Sequence, residues 1–182
     1  METASPTSER LATSIAKKCT KSKNENGMTI YILSLKELST YSDSKASSFK
    51  RFSLGERNPM ECNTSKTILL MGETGAGKTT WINAMINYVL GVEWEDDFRF
   101  KLIEEENKNP AHSQTEGVTA YDIHYQKGFR IPFSLTIVDT AGYDSTEGLE
   151  SDKKTTSAID KFFKDKNGIQ VSLIEIPILF LI

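Results

Sequence analysis

The 182 residues leave room for one domain with appendages, and 38 % hydrophobic content supplies one core if part of the chain stays outside it. A formal charge of −3, from 25 acidic and 22 basic residues, argues against a broad nucleic-acid footprint, so no nucleic-acid partner is expected. Cys19 and Cys62 cannot build a disulfide framework or a four-ligand zinc site, and no run of 18 apolar residues marks a transmembrane segment, so a cytoplasmic protein is the default.

Residues 1–27 are rich in Ser, Thr, Lys and Asn without hydrophobic period, which predicts a disordered N-terminal arm. Residues 28–65 read as a short β-rich lead-in followed by a linker. Thr29 to Leu33 is strand-like, a helical turn runs toward Tyr41, and a Ser-rich stretch with an Asn58-Pro59 turn follows. Composition changes at Lys66, where the main domain, 66–182, is expected to begin. Thr67-Ile68-Leu69-Leu70-Met71 is a continuous apolar run, as in a strand buried on both faces.

After Gly77, the residues Ile82, Met85, Ile86, Val89 and Leu90 recur at helical spacing, and Gly91 is a natural stop. Acidic clusters at Glu93 to Asp97 and Glu104 to Glu106 read as a solvated face. Two further strands are expected, Thr119 to Gln126 and Phe133 to Val138, and a short helix at Ser157 to Lys164. His112 and His124 have no Cys or His partners at ligand spacing and are read as solvated. Strands and helices in this order predict an α/β fold with a mostly parallel sheet.

Gly72-Glu73-Thr74-Gly75-Ala76-Gly77-Lys78-Thr79 fits G-x-x-x-x-G-K-[ST]. Glycines allow backbone N–H groups to turn inward and approach phosphates closely. Lys78 supplies a point charge to the β/γ-phosphates, the Thr79 hydroxyl suits Mg²⁺, and the following helix directs its positive end at the anion. Sixty residues after Thr79, Asp139 ends the run Leu135 to Val138, where a P-loop enzyme places a Mg²⁺ ligand. Gly142 would bring its N–H to the γ-phosphate.

Gly72 to Thr79, Gly117-Val118-Thr119 and Asp139 to Ser145 (DTAGYDS) together resemble the G domains of translation-factor-class GTPases. The likeness is greatest to septin and AIG1-type (immune-associated nucleotide-binding) GTPases and more distant to Era-like proteins. It covers about Lys66 to Lys164. The resemblance implies a three-layer α/β P-loop NTPase fold, with 66–182 forming a partial G domain incomplete at its C-terminus. It implies GTP or GDP as ligand, Mg²⁺ as cofactor and slow hydrolysis of GTP to GDP. A nucleotide-gated assembly protein, a homo-oligomer paired through its G domains, is the second implied reading, and an inert truncated isoform the third.

Site residues follow from the same likeness. Gly72, Glu73, Thr74, Gly75, Ala76, Gly77, Lys78, Thr79, Thr80 and Gly142 would bind the nucleotide, and Thr79, Thr119 and Asp139 the Mg²⁺. Thr119 is the expected switch threonine, with Thr115 the alternative, and Lys78 and Thr119 are the catalytic candidates. The guanine-reading motif N/T-K-x-D does not occur after Asp139. The chain is therefore expected to be a truncated product, with Val171 to Leu181 supplying the last strand and guanine preference resting on resemblance alone. Tyr143 stands where Ras-type enzymes carry the glutamine that orients water, which predicts slow turnover.

Overall fold

The computed structural model describes residues 9–43, 47–72, 75–103 and 118–140, with 153, 156, 157, 159 and 160 beyond them. In chain order these form α1 (Leu11–Lys18), β1 (Ser22–Glu25), β2 (Met28–Ile32), β3 (Lys36–Asp43), β4 (Ser47–Leu54) and β5 (Ser65–Leu70). The helix α2 (Lys78–Leu90) follows, then β6 (Phe98–Lys101), β7 (Val118–Ile123) and β8 (Ser134–Thr140).

The arm expected to be disordered over 1–27 carries two elements. In α1, Ala12 and Ala16 lie one turn apart and are both buried, so small residues rather than a long apolar stripe hold the helix down. Between β1 and β2, Asn26 and Gly27 both take positive φ (52° and 82°), the two-residue turn whose twist suits an antiparallel pair. Strand β2 then runs parallel to β6, where Tyr31, Phe98 and Phe100 form an aromatic cluster with centroids 5.5 to 6.0 Å apart.

The linker expected within 28–65 is likewise structured. Strands β3 and β4 pair antiparallel, with a bulge between Glu37 and Ser39, where a helical turn was expected. They extend one edge of a five-stranded sheet of order β3-β4-β7-β8-β5.

These pairings overturn the expected three-layer α/β P-loop NTPase fold with a mostly parallel sheet. The described chain forms two mixed sheets, rich in antiparallel pairs, with two helices. Across the larger sheet the pairs read antiparallel, parallel, antiparallel, parallel. One cause is the short connection at 124–133: a parallel return needs a crossover of about a dozen or more residues, so β8 folds back against β7 instead. The expected incompleteness at the C-terminus concerns residues outside those described, as does most of the helix expected at Ser157 to Lys164.

The α2 expectation holds. Ile82, Ile86, Val89 and Leu90 are buried, and Met85 packs beside them. Gly91 (φ 76°) ends the helix, with Val92 N–H donating to Asn87 O at 3.0 Å and Gly91 N–H to Tyr88 O at 3.1 Å. The face of the large sheet carrying Ile68, Leu70, Tyr121, Ile123, Leu135 and Ile137 shares one core with α1, α2 and β6. On the other face, Val118, Ala120 and Val138 form a smaller apolar cluster with Phe49, Leu69 and Ile159. Among the described residues no helix is long and apolar enough to cross a membrane.

Candidate functional site

Strand β5 delivers the chain into the glycine-rich loop at Gly72, and α2 leaves it at Lys78. Gly75 and Gly77 take φ of 82° and 85°, the left-handed region that residues with a Cβ rarely occupy. A Cβ at either position would meet nothing within 4 Å, so these glycines are required by backbone conformation rather than by crowding.

The N-cap of α2 is Gly77, and no side chain caps it. The first helical bond is Trp81 N–H to Gly77 O at 2.9 Å. The preceding N–H groups at the loop mouth thus have no partner further back in the helix, which is the general condition of a helix N-terminus and the reason such ends attract anions.

Lys78 is half-buried at this mouth, and its Nζ donates to Gly72 O at 2.9 Å, folding the ammonium back across the loop entrance. Burial lowers the Lys78 pKa from its ordinary value, and the nearby Asp139 carboxylate opposes that shift. Asp139 is 1 % exposed and lies in β8, paired in register with Leu70 at the end of parallel strand β5. Thr140 Oγ1 donates to Leu70 O at 2.8 Å, which ties the two strands together beside the loop.

Thr119 sits in β7 directly opposite Asp139 in the antiparallel ladder. Residues so paired share a face, with Cβ atoms about 4.5–5.5 Å apart. Thr79 occupies the second position of α2 and is half-buried, whereas Thr80 is exposed. The structure thus brings Gly72, Gly77, Lys78, Thr79, Asp139 and Thr119 to one end of β5, β7 and β8. Exposed Gly75 and Ala76 lie within the loop itself. Glu73, Thr74, Thr115, Gly142, Tyr143 and His112 lie outside the described residues.

The donor set suits Mg²⁺. A hydroxyl and a carboxylate are hard oxygen ligands, and Mg²⁺ beside phosphates takes one or two protein oxygens rather than a full cage. Among the described residues, no three His, Cys, Asp or Glu side chains come together as a metal cluster. Tyr121, next to Thr119, is buried and stacked on Phe52 (6.0 Å, 18°). Burial, then the Asp139 charge, pushes its phenol well above the ordinary range.

His124 departs from expectation. It follows β7 and is half-buried, and burial lowers its pKa.

No family model matches the chain, and comparison with curated proteins and with solved structures gives no match.

Proposed function

We propose that the chain binds a nucleoside triphosphate with Mg²⁺ at the loop between β5 and α2 and hydrolyses it slowly, with GTP as the substrate that the motif resemblance favours. The observation carrying this reading is the placement of Lys78 and Asp139. The lysine opens α2, the carboxylate lies one residue before the end of the neighbouring parallel strand, and each feels the charge of the other at the mouth of a left-handed glycine loop.

Each group has a role. The loop and helix N–H groups hold the phosphate oxygens, and Lys78 turns from Gly72 O to the β/γ-phosphates. Thr79 and Asp139 hold Mg²⁺, which when bound neutralises charge on the phosphates. Thr119, opposite Asp139, completes the set from β7. A cytoplasmic location accords with this reading.

Calorimetric titration of the chain with GTP, GDP and ATP, each with and without Mg²⁺, tests it. Saturable, Mg²⁺-dependent triphosphate binding that is lost in Lys78→Ala is the expected result. Phosphate contacts are indifferent to the base, so GTP and ATP should bind within about tenfold of each other, ~1.4 kcal/mol. Absence of triphosphate binding would overturn the proposal.

A further inference from the structure

The end of the large sheet away from the glycine loop carries a different kind of site. Ser53, Asp122, Thr136 and Thr67 are register partners across four adjacent strands, β4, β7, β8 and β5. All four are buried, at 4, 6, 6 and 2 % exposure. They share the face that carries the Val118, Ala120 and Val138 cluster, so this face is split into an apolar half and a polar half. Burying a polar row costs free energy that an apolar row would not, and packing alone gives no reason for it.

A pocket of about 310 Å³ lies over this row, with Thr67, Asp122 and Thr136 among its lining residues. Its volume falls at the small end of the range for small-molecule sites. Arg51, Arg57 and His124 also line it. Asp122 is engaged at both oxygens: Thr136 Oγ1 donates to Oδ1 at 2.8 Å and Arg51 Nε to Oδ2 at 2.7 Å. The Nη groups of Arg51 have no partner among the described residues, and Arg57 is exposed. Two guanidinium groups against one committed carboxylate leave the lining with a positive balance.

We propose that this pocket binds a small oxyanionic ligand, a phosphoryl or carboxylate dianion, held by Arg51 and Arg57 above a floor of buried hydroxyls. Guanidinium forks match both oxyanions; the Thr67 hydroxyl supplies a neutral donor and acceptor for the rest of the molecule, and Thr136, whose O–H is committed to Asp122, supplies an acceptor. The site is separate from the nucleotide loop. Ser65 and Leu70 are the two ends of β5, roughly 17 Å apart at the rise of an extended strand. His124 is the reporter at the rim. Burial lowers its pKa first, Arg57 and Arg51 lower it further, and Asp122 raises it, so an entering dianion should restore its basicity.

The test uses the full chain carrying Lys78→Ala, which disables the glycine loop, and His112→Gln, which leaves His124 as the sole imidazole. Inorganic phosphate and malonate are titrated separately while the imidazole resonances of His124 are followed by NMR across pH. A saturable shift with either probe, accompanied by a rise in the His124 pKa, is expected, and the tighter probe assigns the oxyanion. Arg57→Gln, at an exposed position outside the core, should weaken that binding about tenfold. The proposal is overturned if neither probe saturates, if sodium chloride at equal ionic strength reproduces the shift, or if Arg57→Gln binds equally well. Triphosphate binding by the parent chain is scored independently, so failure of the loop assignment leaves this result interpretable.

Discussion

Thr119 and Asp139 face one another across the β7–β8 pair, on the side of the sheet that α2 covers. A hydroxyl at the second residue of β7 is thereby held beside a carboxylate at the sixth residue of β8, both buried. Replacing Thr119 by Val keeps the β-branched shape and removes only the oxygen. We expect the Mg²⁺ concentration for half-maximal triphosphate binding to rise about tenfold, ~1.4 kcal/mol, with packing preserved. An unchanged Mg²⁺ requirement in Thr119→Val would transfer the role to another residue, with Thr115→Val the next variant to measure.

Lys78→Ala addresses the loop. The ammonium is half-buried, and it donates to Gly72 O, a carbonyl of the same loop. Removing it deletes the hydrogen bond to Gly72 O, about 1 kcal/mol, and relieves the desolvation of a charged group, and these two effects oppose each other. Triphosphate affinity should fall at least about tenfold while the ligand-free Tm moves by no more than about 2 to 4 °C. A mutant that binds triphosphate as tightly as the parent contradicts the assignment.

The edge of β6 is closed by side chains rather than by a strand. Asn87 Oδ1 accepts from Phe100 N–H at 2.8 Å, and its Nδ2 donates to Phe100 O at 2.8 Å. One turn earlier, Asn83 treats Leu102 and Ile103 in the same way, at 2.8 to 3.1 Å. Two carboxamides at i and i+4 thus act as a substitute strand and fasten α2 to the small sheet. Asn87→Ala leaves both polar groups of buried Phe100 without these partners, at about 1–3 kcal/mol. A drop in Tm of about 4–8 °C is expected, together with faster hydrogen exchange at the Phe100 amide. Unchanged exchange at that amide would show that the carboxamide is dispensable.

How much could be read beforehand depended on where apolar residues fall. In α2 the stripe from Ile82 to Leu90 and the terminal Gly91 announce the helix completely. Strand β8 is an apolar run, and Tyr121 and Ile123 mark β7, although its polar residues Thr119 and Asp122 are buried as well. Strands β3 and β4 were hidden because Ser and Lys fill many of their positions, so no alternation stands out. The helix α1 is anchored by two alanines, too small to register as a period, although Asn26-Gly27 did carry a hairpin signal. The glycine-rich loop was legible because its residues are contiguous. The polar pocket was not, since Arg51, Arg57, Thr67, Asp122, His124 and Thr136 converge only when four strands pair.

Gly128 couples the docked N-terminal helix to the body of the fold. Its φ is 107°, and a Cβ there would lie 2.9 Å from Leu11 Cβ. Gly128→Ala therefore combines backbone strain with a collision against a backbone-anchored atom, and a loss of about 1–3 kcal/mol is expected. Cys19, just beyond α1, reports the local consequence. Its thiol pKa is raised by burial, which suppresses the reactive thiolate. In a Cys62→Ser background, Gly128→Ala should speed alkylation of Cys19 and lower Tm together. Alkylation at the parental rate would mean that α1 stays docked despite the collision.

The last prediction concerns acid stability and His124. Burial is the first cause of its lowered pKa; Arg57 and Arg51 act in the same direction, and Asp122 opposes them. The unfolded chain, whose imidazole titrates near pH 6.5, therefore takes up a proton at higher pH than the folded chain does. Below about pH 6.5 the unfolded state binds more protons at this residue, so stability falls as pH drops toward the folded pKa and recovers as it rises. Glu25 and Asp96 act mainly below that window. Their pKa values are lowered by Lys101 and Arg10 respectively, so the stability linked to them is present above the ordinary carboxylate range and is lost as pH falls from that range toward their lowered folded values. Thermal melts from pH 7.5 to 5.0 should show Tm decreasing through this interval, with a smaller decrease in His124→Gln. An identical pH slope in the two proteins would mean that burial of this imidazole does not set the acid limb.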